Sequence, residues 1–204
     1  MSARLITLEG SEGVGKTTQI AAVCDYLRDR GIPVLATREP GGTPVGEQIR
    51  AILLGQQEIA AATELLLLYA ARAQHLVEVI RPALARGQWV VCDRFADASF
   101  AYQGGGRGVA GEFLAALQLQ VLQGLQPDLT LLLDAPVAVG LARARRRGAA
   151  DRFEQETVAF FERVRGAYLQ LAEADPQRFR VIDASAPADQ VRAAIVAELE
   201  RLCP

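Results

Sequence analysis

Histidine and cysteine are scarce in this chain, and membrane-length apolar runs are missing. The single His75 has no companion at metal-ligand spacing, which argues against a histidine metal centre. Its expected place is a helix surface or a contact between subunits. Three cysteines, Cys24, Cys92 and Cys203, share no metal-ligand spacing either. Their odd number, and the lack of a signal-peptide pattern after Met1-Ser2, point to a reducing cytoplasm. The leucine run at 65–68 is too short to cross a membrane, which takes about 20 residues. A net charge of only −2 gives no reason to expect a nucleic-acid polymer as partner. No repeat or low-complexity linker interrupts the 204 residues, a length that suits one domain, at most with a small mobile insert. Half of the residues are hydrophobic, enough for a buried core.

What the chain does have begins at Gly10-Ser11-Glu12-Gly13-Val14-Gly15-Lys16-Thr17, which reads G-x-x-x-x-G-K-T. A nucleoside triphosphate tail needs several donors converging on it, and the N–H groups of a tight loop supply them. Glycines 10, 13 and 15 let the backbone approach without a Cβ. Lys16 can reach the β- and γ-phosphates, and the Thr17 hydroxyl can hold Mg²⁺. The context fits: residues 4–9 read as a short apolar strand, and Ile20, Val23 and Leu27 form one helical stripe.

Further strands are expected at residues 32–37, 88–92, 129–133 and 179–182. Helices are expected at 44–54, with Thr43 as cap, at 61–86 with a kink at Pro82, and at 111–125. Others follow from Val137 into the arginine cluster, over 154–174 and over 188–202. Residues 102–108 read as a flexible glycine loop. Alternating strands and helices predict an α/β fold: a five-stranded parallel sheet with helices on both faces. Ligands of such sheets bind beyond the carboxyl ends of the strands. The loop after Glu9, Arg38-Glu39, Asp93-Arg94 and the segment after Asp183 all fall there.

Asp93 ends an apolar strand, placed to hold a metal's water shell or to orient an acceptor. Asp134 is a rival for that role, but a loop-capping carboxylate ahead of Pro136 is the expected reading. Guanidinium forks suit phosphate oxygens. Arg38 and Arg94 follow strands directly, whereas Arg50 and Arg72 are each expected on a solvated helix face. Arg143, Arg145, Arg146, Arg147 and Arg152 crowd around the break at Gly148. They form either a solvated face or a mobile lid supplying cations to a transferring phosphoryl group. Ser99 and Gln103 lie one helical turn apart and could present a hydroxyl and an amide to a planar ligand.

Four segments together resemble the thymidylate kinase family over almost the whole chain. They are 9–18, Arg38-Glu39-Pro40-Gly41-Gly42-Thr43, Asp93-Arg94-Phe95 with Ala101-Tyr102-Gln103-Gly104, and Asp151-Arg152-Phe153-Glu154. The resemblance implies transfer of a phosphoryl group from ATP to dTMP, giving dTDP, by one P-loop nucleoside-monophosphate kinase domain, 1–204, with a short lid at about 143–154. It implies that residues 10–18, Gly10, Ser11, Glu12, Gly13, Val14, Gly15, Lys16, Thr17 and Thr18, hold ATP, with Arg143 beside it and Mg²⁺ on Thr17 and Asp93. Arg38 and Arg94 would clamp between the phosphates and the acceptor. Glu39 and Arg50 would line the monophosphate side, and Arg72, Ser99 and Gln103 the thymine.

The family carries its catalytic arginine either in the phosphate loop or in the lid. Glu12 and the arginine-rich lid make this chain similar to the lid type, with Arg147 as candidate, Arg143 and Arg152 in support, and Glu12 in contact with the sugar or a lid arginine. Many relatives stack a Phe on the base where this chain has Leu68, followed by Tyr69, and either could cover the thymine. The resemblance also implies a homodimer built from helix faces beside the long helix. A kinase for another small acceptor and a nucleotide switch are the rivals, although the Asn-Lys-x-Asp motif of guanine-specific switches is missing.

Overall fold

A computed structural model describes residues 2–146 and 152–202. Among these residues five parallel strands form one sheet, β1 (Leu5–Glu9), β2 (Val34–Arg38), β3 (Trp89–Asp93), β4 (Leu129–Asp134) and β5 (Phe179–Asp183), in the order β2-β3-β1-β4-β5. β1 and β4 lie inside the sheet with both faces covered, and they are almost continuously apolar, Leu-Ile-Thr-Leu-Glu and Leu-Thr-Leu-Leu-Leu-Asp. The edge strands β2 and β5 are partly exposed. Each of β2 to β5 ends on a charged residue, at Arg38, Asp93, Asp134 and Asp183, one position later than the apolar runs suggest. Parallel register pairs Arg38 with Asp93 and Asp134 with Asp183, so these groups line one edge of the sheet.

Alternate residues point to opposite faces. Ile6, Leu8, Val91, Leu131 and Leu133 pack beneath α1 (Lys16–Asp29) and α9 (Ala188–Leu202). Leu5, Val90 and Cys92 face α3 (Ala61–His75) and α6 (Gly111–Leu122), with Leu65, Tyr69 and Leu114. A third cluster joins Leu132 to Phe160, Phe161, Val164 and Tyr168 of α8 (Val158–Ala174).

Three helical expectations are corrected, at the long helix, at the glycine stretch and at the start of α8. The long helix is not interrupted at Pro82 alone. After α3 the backbone stays helical through a wide π turn at Leu76–Ile80 and continues as α4 (Arg81–Ala85). Proline lacks an N–H and crowds the carbonyl four residues earlier, so the wider turn falls just ahead of it. The supposed flexible glycine loop is ordered helix: α5 (Ala96–Ser99) passes into a second wide segment, Phe100–Gly106, packed on α8. Its glycines serve close approach. A Cβ on Gly105 would lie 2.6 Å from Ala167 Cβ, and one on Gly106 2.5 Å from the Phe160 ring.

α8 starts at Val158, not at 154, because Thr157 caps it by accepting from Phe160 N. α7 (Val137–Arg145) follows β4 directly. At α2 (Pro44–Leu54) the Thr43 hydroxyl accepts from Gly46 N at 2.9 Å, with Pro44 in the first turn. Thr43→Ala removes this cap, and we expect a loss of about 1 kcal/mol. Urea unfolding should show a lower midpoint at an unchanged slope.

Candidate active site

The cleft lies along the carboxyl edge of the sheet, with a volume of about 180 Å³, and runs from Lys16 and Thr17 at one end to Leu68, Arg72, Ser99 and Gln103 at the other. The phosphate loop connects β1 to α1. A Cβ on Gly13 would sit 1.9 Å from Gly140 O, and one on Gly140 2.4 Å from Glu12 O. Loop and first turns of α7 therefore interlock backbone to backbone, with Val14 buried beside them. Gly15 precedes α1 in the left-handed region, and the first turn of α1 carries no acid. Its unpaired N–H groups, with Thr17 and Thr18 exposed there, favour an anion.

Lys16 Nζ donates to Gly10 O at 3.1 Å and Ser11 O at 2.9 Å. Burial, aided by the nearby Arg94 charge, pulls its ammonium down to about 8. Arg94 adopts φ 64° directly after β3, which turns its side chain back over the sheet edge. Its Nη1 donates to Gly10 O and Tyr168 Oη, and its Nη2 to Glu12 Oε1 at 2.6 Å and Tyr102 Oη at 2.8 Å. Below it Glu9 is fully buried and accepts from Phe95 N and from Tyr168 Oη, both at 2.7 Å. Burial, reinforced by the Asp97 charge, pushes the Glu9 carboxyl up to about 8.

At the other end Arg72 is buried, not solvated as its helix position suggests. Its Nε donates to Glu39 Oε2 at 2.7 Å, Nη1 to Ser99 Oγ and Nη2 to Phe95 O. His75 is buried as well, which corrects the surface expectation. Its Nδ1 meets Glu39 Oε1 at 3.0 Å and its Nε2 meets Thr37 Oγ1 at 2.6 Å. Arg50 lines the cleft and donates to Pro40 O at 2.9 Å. Arg38 lies at the mouth, paired through Nη2 with both carboxylate oxygens of Glu47. Leu68 borders the cleft. Tyr69 does not: it is buried in the core, with the Arg72 guanidinium 4.6 Å from its ring centre.

The two candidate metal acids separate. Asp93 borders the cleft with Thr17, and its buried Oδ1 has no partner among the described residues. Asp134 accepts two hydrogen bonds from Arg165, at 2.7 and 2.8 Å, so it is a structural anchor for α8. Arg143 donates to Ala184 O and Ser185 O, outside the cleft lining, and ties α7 to the segment after β5. Arg152 donates to Leu53 O and to Glu64. Arg147 lies outside the described residues, as do Gly148 and Asp151.

Glu64 and Tyr168 are site-building groups that sequence reasoning passed over, while Tyr102 and Glu9 stand in the resembling segments without the role of holding Arg94 and Tyr168. Glu64 could have been found, because residues 64, 68 and 72 share one face of α3. Tyr168 reaches Glu9 across 159 residues, and no local pattern signals it.

A glycine loop between the first strand and its helix, with cations converging on a cleft at the switch in strand order, defines a P-loop protein of nucleoside-monophosphate kinase architecture. The family model described as thymidylate kinase matches residues 8–195. The thymidylate kinases of Methylococcus capsulatus and Chromohalobacter salexigens are 57% and 59% identical to the chain, each alignment covering 98% of it and 96% of the relative. The crystal structure of thymidylate kinase from Ehrlichia chaffeensis superposes with a TM-score of 0.81 at 32% identity, over 98% of this chain and 99% of that one. The chain belongs to the thymidylate kinase family.

The raised Glu9 pKa has a consequence for stability. Between about 4.5 and 8 the folded protein keeps a proton on Glu9 that the unfolded chain releases. Stability from this group is therefore full below 4.5 and falls as pH rises toward 8, by at most about 1.4 kcal/mol per pH unit. Glu9→Gln removes the titration. Urea unfolding across this range should show the wild type losing stability relative to Glu9→Gln as pH rises.

Proposed function

We propose that the chain transfers the γ-phosphoryl group of ATP to dTMP, giving dTDP and ADP. The observation that carries this reading is the two-ended cleft. One end offers the backbone donors of a phosphate loop, and the other the hydrogen-bonding side chains of Arg72, Ser99 and Gln103 beside apolar Leu68, a mix of polar edge and apolar face that suits a pyrimidine. Lys16 and the loop N–H groups hold the triphosphate. Phosphoryl transfer asks little covalent chemistry of the protein, so placement and positive charge do most of the stabilising. Arg94, already held over the loop, faces the group in transit, and Arg38 can exchange Glu47 for a phosphate at the mouth. Arg50 and Glu39 lie along the monophosphate, with Arg72, Ser99 and Gln103 at the base and Leu68 against its face.

Thr17 and Asp93 fit a Mg²⁺ ion. Asp93 Oδ1 is a buried oxygen in want of a partner, and Mg²⁺ favours one or two protein oxygens plus phosphates and waters. Bound with ATP, the ion would neutralise phosphate charge. The arginine-rich segment at about 143–154 acts as a lid on this single kinase domain, with Arg147 as its catalytic arginine and Arg143 as its tether. Leu66, Val77, Phe113 and Leu119 expose large apolar side chains on α3, the wide turn after it and α6, and support a homodimer formed through these helices. No described helix is long and apolar enough to cross a membrane, and the buried thiols of Cys24 and Cys92 are free, in keeping with a cytoplasmic setting.

ADP release from ATP and Mg²⁺ tests the reading, with dTMP, dUMP, dCMP, dGMP, AMP or no acceptor. We expect strong and selective stimulation by dTMP; ATP binding without stimulation by any acceptor would move the switch reading to the front. The two strand-end acids give a paired test. Asp93→Asn should lower kcat by roughly 10²-fold or more. Asp134→Asn should leave kcat within about threefold and cost about 1 kcal/mol or less, since its pair with Arg165 is partly exposed.

A further inference from the structure

Glu64 is a wholly enclosed carboxylate with no part in the reaction itself. It is fully buried on α3 and reaches the base end of the cleft only through Gln103. Its Oε1 accepts from Gln103 Nε2 at 2.8 Å and from Arg107 Nε at 3.3 Å. Its Oε2 accepts from Arg107 Nη2 at 3.4 Å and from Arg152 Nη2. A carboxylate between two guanidinium groups has only acceptors to offer. The side-chain amide of Gln103 can meet it in one orientation only, with nitrogen toward Glu64. The amide oxygen is then the end left for the cleft that Gln103 lines.

We propose that Glu64 is a positioning residue for base selectivity. By fixing the polarity of the Gln103 amide it makes the pocket present an acceptor, which demands an N–H donor on the ring edge of the bound pyrimidine. Thymine and uracil have that donor at N3, while cytosine has a lone pair there. Discrimination thus comes from a repulsive alternative as well as an attractive match. Arg107, which also pairs with Glu156, and Arg152, which also donates to Leu53 O, hold the carboxylate, and neither lines the cleft. An uncharged amide at position 64 would leave Gln103 free to turn, because it can donate to the oxygen as readily as accept from the nitrogen.

The proposal rests on the dTMP kinase reading, and its test separates the two. Steady-state kcat/KM is measured for dTMP, dUMP and dCMP with wild type and with Glu64→Gln. If the wild type fails to prefer dTMP over dCMP, the dTMP reading itself falls, and the selectivity proposal with it. Otherwise Glu64→Gln should lower the dTMP:dCMP ratio by about tenfold or more, the scale of one hydrogen bond plus one unfavourable contact. The dTMP:dUMP ratio should stay within about twofold, since both bases carry N3–H, and KM for ATP should not move. An unchanged dTMP:dCMP ratio, or equal loss of both ratios, overturns the proposal. If Glu64→Gln does not fold, wild-type turnover of 3-deaza-dUMP decides. This analogue has C–H in place of N3–H and should be used about tenfold less well than dUMP; equal use overturns the proposal.

Discussion

A guanidinium group cannot leave water without acceptors around it, and the partial burial of Arg94, whose side chain is 15% exposed, organises this molecule. Its acceptors come from four parts of the chain: Gly10 O at the end of β1, Glu12 in the phosphate loop, Tyr102 in the wide helical segment and Tyr168 on α8. Tyr168 hands the connection on to Glu9, and Glu9 accepts the N–H of Phe95, the residue after Arg94. The circuit closes on itself. Any displacement of α8 or of the phosphate loop leaves a largely enclosed charge short of partners, which costs more than the net gain from making the bonds.

The same logic repeats along the cleft. Arg38 is held by Glu47, Arg72 by Glu39 and Arg152 by Glu64. Interleaved acids let a cleft rich in arginine fold without self-repulsion, and they keep each fork in one orientation. The differences in burial separate the roles. Arg38 and Glu47 are half exposed, so a phosphate can compete for the arginine. Arg72 and Glu39 are almost wholly buried, so that pair behaves as part of the scaffold and presents a fixed edge to a base.

Local chemistry was legible in the sequence, and convergence was not. The phosphate loop could be read because its donors, glycines and lysine lie within eight residues. Asp93 and Arg94 were marked by the end of an apolar strand, and Ser99 and Gln103 by helical spacing. Arg72 looked like a solvated arginine because its acceptors, Glu39, Ser99 and Phe95 O, belong to distant segments. His75 looked like a surface histidine for the same reason. The glycine-rich stretch at 102–108 misled differently. Glycine marks both freedom and close packing, and only the presence of α8 against Gly105 and Gly106 distinguishes them.

Lys16 is the only lysine in the chain, since every other side chain counted as Lys or Arg is arginine. Arginine keeps its charge in any protein environment, whereas an ammonium gives up its proton when burial makes the charge costly. The two cations nearest the phosphate loop therefore respond differently to their enclosure. Arg94 stays charged and recruits Glu12 and two tyrosines. Lys16 rests on the carbonyls of Gly10 and Ser11 with its pKa drawn down to about 8, partly by the Arg94 charge itself. A bound triphosphate brings negative charge to both and raises the lysine pKa again. Proton occupancy on Lys16 is thus linked to nucleotide binding at the loop, and the linkage arises because burial, and after it the fixed charge of Arg94, disfavours the ammonium until phosphate charge arrives.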